Sequence, residues 1–359
     1  MMIPLLPFNG GHSLPERQKM RIAQIAPLFE TVPPARYGGT ERVVSWLTEA
    51  LVDMGHEVTL FASGDSRTSA RLVPVVPTAR RFVPNFEANT APYARMIELA
   101  ARAAGEFDVM HFHIDFHPYP VFSRLDVPFL TTLHGRMDQE WTEGIYGLYP
   151  RANLVSISQS QRRPQPGLHW AGTVLHGMPQ GLLRPVADGG DYLAFLGRVS
   201  PEKGIEAAIR IAAACGRILK VAAKIGAEDQ EYYDRIVAPL LAGGSVEFIG
   251  EIDDAEKPAF LSGAAALLFP IAWPEPFGLV MIEAMACGCP VIATPLGSVP
   301  EVIEDGLTGF IVETEAQAVA AVGRLGLLDR GAIRRRFEQR WSAERMAEDY
   351  LAIYRGLIG

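Results

Sequence analysis

The chain has 359 residues, a formal net charge of −8, 48% hydrophobic residues and three cysteines. That length suits two domains with separate cores, and the mixed composition needs neither disulfides nor a structural metal to bury them. A net acidic charge argues against nucleic acid as the main partner, no 18-residue apolar stretch offers a membrane-spanning helix, and an odd set of unspaced cysteines points to a reducing, cytoplasmic compartment.

Residues 1–19 open with Met1-Met2-Ile3-Pro4-Leu5-Leu6-Pro7, which is broken by prolines and lacks the charged leader and apolar core of a signal peptide. They are expected as a flexible extension outside the fold. From Met20 onward short apolar runs alternate with helix-period segments, the pattern of an α/β protein whose parallel sheets are covered by helices on both faces. A first set of strands is expected at 21–26, 56–61, 108–112, 129–133 and 154–157, with a helix from about Gly39 to Met54. A second set is expected at 192–196, 218–222, 246–249, 265–269 and 290–293. Between them lies Arg184-Pro185-Val186-Ala187-Asp188-Gly189-Gly190, a stretch of linker type.

The division that follows is 20–187 for an N-terminal domain, 188–340 for a C-terminal domain and 341–359 for a terminal helix returning toward the N-terminal domain. That helix carries Met346, Tyr350, Leu351 and Tyr354 as a packing stripe. The first 187 residues are nearly neutral and rich in arginine, which permits an acidic acceptor or weak peripheral contact of the N-terminal domain with an anionic membrane and requires neither.

Residues with chemical potential fall at the ends of these strands. Tyr37-Gly38-Gly39-Thr40-Glu41-Arg42 opens a helix, where paired glycines let backbone approach a ligand and the helix N-terminus favours phosphate. It is not the G-x-G-x-x-G fingerprint, and two glycines alone are a weak signal. His111, His113 and His117 alternate at a strand end and could share a metal, the basis of a rival reading as a metal-dependent hydrolase. Leu133-His134-Gly135 ends another strand at the edge where open α/β sheets bind ligands, and a histidine there serves structure as readily as function. In the segment from Phe195 to Gly204, Ser200 is expected as an N-cap, Pro201 as the first helical residue and Glu202 next. Lys203 in that first turn would oppose the helix dipole, and an anion shared with Arg198 would account for it.

The most informative stretch runs from Pro274 to Gly288. From Gly278 it has helix spacing, with Leu279, Ile282 and Met285 on the face toward the sheet, so a helix N-terminus with free N–H groups stands at the carboxyl edge of a parallel sheet. Such an end is a ready anion site. Glu275 before the helix and Glu283 on it bring two carboxylates to that edge, suited to sugar and ribose hydroxyls. Acidic residues near a helix start are also favoured electrostatically whatever the function.

With these residues in order, the chain from about 20 to 356 resembles glycosyltransferase family 4, also called glycosyl transferases group 1. These are retaining enzymes of the GT-B fold, in which two Rossmann-like domains face each other across a cleft. The resemblance is strongest in an E-x7-E motif from Glu275 to Glu283 with Pro276-Phe277-Gly278 inside it, followed by Pro290-Val291-Ile292-Ala293 and by Gly297-Ser298-Val299-Pro300-Glu301-Val302-Ile303. Gly38-Gly39, Gly197-Arg198, Lys203-Gly204 and Phe248-Ile249-Gly250 fall in the family's order. Ser158-Gln159-Ser160-Gln161-Arg162-Arg163-Pro164 is shorter and more polar than the helix common there.

The resemblance implies a nucleotide-diphosphate-sugar donor on the C-terminal side, and a sugar, lipid-linked or small-molecule acceptor on the N-terminal side. No cofactor and no metal are implied. Arg198 and Lys203 would hold the donor diphosphate, assisted by backbone N–H groups of Phe277, Gly278 and Leu279. Glu283 would bind the ribose, Glu275 and His134 would contact the transferred sugar, Gly38 and Gly39 would bring backbone near the diphosphate or acceptor, and Ile249 would flank the base. In retaining chemistry the nucleoside diphosphate leaves an oxocarbenium-like sugar, the acceptor attacks the same face, and its proton passes to the leaving diphosphate, so no separate base is expected. Two rival readings share the architecture: a nucleotide-sugar epimerase, which needs no acceptor, and a non-catalytic nucleotide-sugar-binding protein, which binds donor without turnover.

Overall fold

The structure, a computed structural model of the chain, describes residues 19–359 apart from 37, 82, 84, 85 and 242. The extension expected at 1–19 lies, but for Lys19, outside the described residues, as does Tyr37 of the glycine turn.

Two parallel sheets organise the chain. The first is built from β1 (Arg21–Ile25), β2 (Glu57–Ser63), β3 (Arg71–Val76), β4 (Val109–Phe112), β5 (Phe129–Thr132), β6 (Leu154–Ser156) and β7 (Trp170–Thr173), in the order β3-β2-β1-β4-β5-β6-β7. The second is built from β8 (Leu193–Arg198), β9 (Leu219–Lys224), β10 (Val246–Gly250), β11 (Ala266–Phe269), β12 (Val291–Ala293) and β13 (Gly309–Ile311), in the order β10-β9-β8-β11-β12-β13. The central strands are buried on both faces, as helix-covered parallel strands must be: Ile22, Ala23 and Ile25 in β1, Leu193, Ala194 and Phe195 in β8. Gln24 is the polar exception in β1, fully buried and in register with His111 of β4. β3, β7 and β13, which the sequence reading did not anticipate, are all edge strands.

In each sheet the strand order reverses once, between β1 and β4 and between β8 and β11. Such switch points leave a crevice beyond the carboxyl ends of the strands, where ligands bind. The helix Ala343–Ile358 holds the two halves together. Ser342 caps it, its hydroxyl accepting from Arg345 N–H at 3.0 Å. Its apolar stripe packs on the first sheet and on the helix Gly39–Asp53, and Tyr350 and Tyr354 hydrogen-bond into that sheet. The chain re-enters the N-terminal half beside its exit, with Met178 N–H bonded to the Trp341 carbonyl at 2.9 Å and Ala343 N–H to the Met178 carbonyl at 3.0 Å. Among the described residues no helix is long and apolar enough to cross a membrane.

Candidate active site

Both crevices open on one cleft, with a cavity volume of about 500 Å³. Of the residues singled out in the sequence, Gly38, Gly39, His134, Arg198, Lys203 and Glu275 line it, as do Phe277, Gly278, Leu279 and Glu283. Ile249 does not. It is 42% exposed on the edge strand β10, and Glu251 and Ile252 stand in the cleft in its place.

Arg198 ends β8. Its guanidinium donates to Glu202 at 2.7 Å and to Glu228 at 2.8 Å and lies 3.4 Å from Asp229. Three carboxylates therefore surround one cation at the ligand edge. Burial raises the Asp229 carboxyl against the pull of Arg198, whereas hydrogen bonding at its own backbone, aided by Arg198, holds Glu228 low.

Lys203 does not sit in the first turn of an α-helix. Pro201–Lys203 form a separate 3-10 turn that the Ser200 side chain does not cap, and the α-helix Ile205–Ala214 begins only after Gly204. Gly204 has φ +74°, and a Cβ there would fall 2.0 Å from the Pro270 carbonyl oxygen, so only glycine lets the turn close against the end of β11. Dipole opposition is thus not what marks Lys203. Its ammonium instead meets the Glu275 carboxylate and lies 4.7 Å from the ring centroid of Trp273, whose indole N–H donates to the same Glu275 oxygen at 2.9 Å. Arg136 of the facing domain stands 5.4 Å from that ring.

Gly278 performs the second tight manoeuvre. At φ +78° it starts the helix Leu279–Ala286, and a Cβ there would meet Met281 Cε at 2.9 Å and Phe269 Cζ at 3.1 Å. The loop and first helical residues thereby reach the cleft, with the Phe277 carbonyl held by the Ser298 hydroxyl at 2.7 Å. Ile282 and Met285 are fully buried as expected, whereas Leu279 faces the cleft, where a Cβ on Gly39 would lie 3.8 Å from its Cδ1. Glu283 is buried and accepts from Lys257 at 2.6 Å; Lys257 also pairs with Asp254 at 3.1 Å, and Asp254 with Arg42 of the opposite domain. Lys257 and Trp273 were missed in the sequence. A tryptophan two residues before the motif's first glutamate was a usable signal, but Lys257, 26 residues from Glu283, had none.

On the N-terminal side His134 follows β5, and the Gln161 amide holds its loop by donating to the Leu133 and Gly135 carbonyls at 2.8 and 2.7 Å. The polar segment after Ile157 is therefore scaffolding. Its short helix Gln159–Arg162 is capped by Ser158, and the Glu301 carboxylate accepts from Gln159 and Ser160 N–H at 2.8 Å each, tying the domains together. Burial pushes the His134 imidazole down to about 3, leaving it neutral at ordinary pH. His176, also missed, stacks on it at 5.4 Å and meets Phe277 edge-on at 4.8 Å, joining the two walls.

The alternating histidines have a different use from the metal site entertained above. His113 bonds His134 at 2.9 Å and Gln24 at 2.8 Å. His111 bonds the Tyr354 hydroxyl and Thr132 Oγ1 at 2.7 Å each. His117 is held by the Ile114 carbonyl at 2.6 Å. Both ring nitrogens of His111 and His113 are thus engaged, and among the described residues no group of three His, Cys, Asp or Glu could hold a metal ion.

Residues 184–341 match the family described as glycosyl transferases group 1, and residues 37–166 match glycosyltransferase family 4. The chain is 30% identical over 330 residues to a phosphatidyl-myo-inositol mannosyltransferase of Propionibacterium freudenreichii, covering 81% of this chain and 83% of that protein. It is 29% identical over 349 residues to the protein of the same name from Mycolicibacterium smegmatis, covering 88% and 86%. Among solved structures, AviGT4, a glycosyltransferase involved in avilamycin A biosynthesis, superposes with a TM-score of 0.74 at 26% identity over 94% of this chain and 98% of that one.

Proposed function

The chain belongs to glycosyltransferase family 4 and is a glycosyltransferase of the GT-B fold, and from that premise we propose that it is a cytoplasmic, retaining, metal-independent enzyme using a nucleotide-diphosphate-sugar donor. The observation that carries this reading is the convergence of Arg198, Lys203 and a helix N-terminus on one crevice flanked by Glu275 and Glu283. Two cations and free N–H groups are what a leaving diphosphate requires as its charge develops. The bond from sugar C1 to the diphosphate oxygen breaks with its electron pair on the diphosphate. A bond from the acceptor oxygen to C1 forms on the same face, and the acceptor's proton passes to the diphosphate. His134 and Glu275 approach the sugar from opposite walls, and Glu283, braced by Lys257, takes the ribose hydroxyls. The named activity of relatives at 29% and 30% identity makes mannosyl transfer the first to assay.

A panel of nucleotide sugars screened by thermal unfolding identifies the donor, since a ligand at about 100 times its Kd adds about 2.7 kcal/mol. With that donor, turnover is expected to survive excess EDTA, because Arg198, Lys203 and the helix end supply the positive charge that a divalent ion supplies in other transferases. Loss on chelation, restored by magnesium or manganese, would overturn the charge-stabilisation part of this reading.

Glu283→Gln separates binding from chemistry. The ribose lies far from the reacting carbon, so loss of the charged acceptor is expected to raise the donor KM by about tenfold or more, with kcat changed by less than about threefold. Steady-state kinetics with varied donor checks this; a fall in kcat at unchanged KM would place Glu283 at the reacting sugar instead.

A further inference from the structure

Behind His134 a file of buried polar side chains runs through the first sheet to the C-terminal helix: His113, Gln24, Tyr354, His111 and Thr132, each at most 3% exposed. Burial holds the imidazoles of His111, His113 and His134 below the ordinary histidine range, so each is neutral and carries a single N–H. A neutral imidazole donates from one nitrogen and accepts at the other, so the direction of one hydrogen bond in the file fixes the next.

Gln24 supplies that direction, because the two ends of its amide are chemically distinct. Its Nε2 donates to the Tyr354 hydroxyl at 3.2 Å, and its Oε1 meets His113 Nε2 at 2.8 Å. An amide oxygen only accepts, so the His113 proton is on Nε2 and its Nδ1 is the acceptor. His134, whose Nε2 is 2.9 Å from that Nδ1, must then donate from Nε2. In the other direction the Tyr354 hydroxyl, receiving from Gln24, keeps its own proton to give, and with His111 Nδ1 at 2.7 Å as its acceptor His111 donates from Nε2 to Thr132. Turning the amide end for end would reverse these bonds and move the His134 proton to Nδ1.

We propose that Gln24 is a positioning residue that sets the tautomer of His134, leaving its Nδ1 as a bare acceptor for a donor or acceptor-substrate hydroxyl. Nδ1 is the only nitrogen His134 has left for a ligand, so the Gln24 amide decides whether the cleft meets an acceptor or a donor at that point. The catalytic consequence rests on the reading of His134 as a sugar contact; the tautomer itself does not.

The test is the long-range proton–nitrogen correlation spectrum of protein labelled with 15N-histidine, with His134 assigned from the signals missing in His134→Ala. Wild-type His134 is expected as the Nε2–H tautomer alone. Finding the Nδ1–H form, or an even mixture, overturns the proposal without any further variant having to fold. Gln24→Met, which keeps the side-chain length and removes both ends of the amide, is expected to show both tautomers. In that variant kcat should fall about tenfold, as for one hydrogen bond lost in the transition state, while the donor KM shifts by less than about twofold. A Gln24→Met protein that keeps the single Nε2–H form also overturns the proposal. Mixed tautomers with wild-type kcat would leave the Gln24 assignment standing and remove His134 from the reaction.

Discussion

Arg198→Ala is expected to lower kcat by about 100- to 1000-fold, the usual cost of removing one preorganised donor to a developing negative charge. The surroundings add a second penalty. Glu202 and Glu228 share this guanidinium and line the cleft with it, and Asp229 lies beside it, so on the proposed reading its loss leaves uncompensated carboxylates to repel an incoming diphosphate. Donor KM should therefore rise together with the fall in kcat. Part of the KM effect should disappear in added salt, because the Glu228 side chain is 64% exposed and its repulsion is screened. Arg198→Lys keeps the charge but loses the planar fork that spans several oxygens, and an intermediate rate is expected. Steady-state kinetics at two ionic strengths, with calorimetric binding of the nucleoside diphosphate, reads both effects. If Arg198→Ala turned over within about threefold of wild type, the guanidinium would have no part in stabilising the leaving group.

Glu275→Gln is expected to reduce kcat by about 10- to 150-fold, the range for losing a hydrogen bond to a charged group in the transition state. Glu275 does not act alone. Its carboxylate is held by the Lys203 ammonium and the Trp273 indole, with the Lys203 and Glu275 side chains only 17% and 11% exposed. Glu275 is thus the anion that satisfies Lys203, and on the proposed reading a donor diphosphate would share or take over that cation. Lys203→Ala and Glu275→Gln should accordingly be non-additive, the double variant losing less than the product of the single losses. Lys203→Ala alone should also lower the Tm, since it leaves a nearly buried carboxylate without its cation, and the added Glu275→Gln change should restore part of that loss. Losses that multiply, with independent shifts in Tm, would show two separate sites of action instead of one unit.

The central architecture was legible because its causes are local. A strand buried on both faces by helices must be apolar along its length, so β1, β4, β8 and β11 announce themselves as short runs bounded by turn residues. The turn from Glu275 through Gly278 into the helix with Glu283 lies within nine consecutive residues, and the cleft-lining positions of both glutamates follow from that spacing. The edge strands β3, β7 and β13 were not legible. β13 spans only Gly309–Ile311, β3 contains Pro74, and an edge strand with one neighbour need not carry the continuous apolar run that marks a central one.

What only the tertiary structure decided is how the polar groups are paired. Lys203 looked anomalous against a helix dipole, but the helix starts two residues later and the partner, Glu275, lies 72 residues away. Lys257 braces Glu283 across 26 residues and Tyr354 reaches His111 across 243, separations at which no periodicity or cap signal operates. The histidines at 111 and 113 read as potential metal ligands because strand alternation reveals which face a side chain takes, not what fills that face. Here it is filled by Gln24, Thr132 and a helix from the other end of the chain, and burial there makes both imidazoles neutral members of a hydrogen-bonded interior. A sequence fixes which polar groups exist and in what local geometry, while the cost of burying them is met by partners that only the folded chain brings within reach.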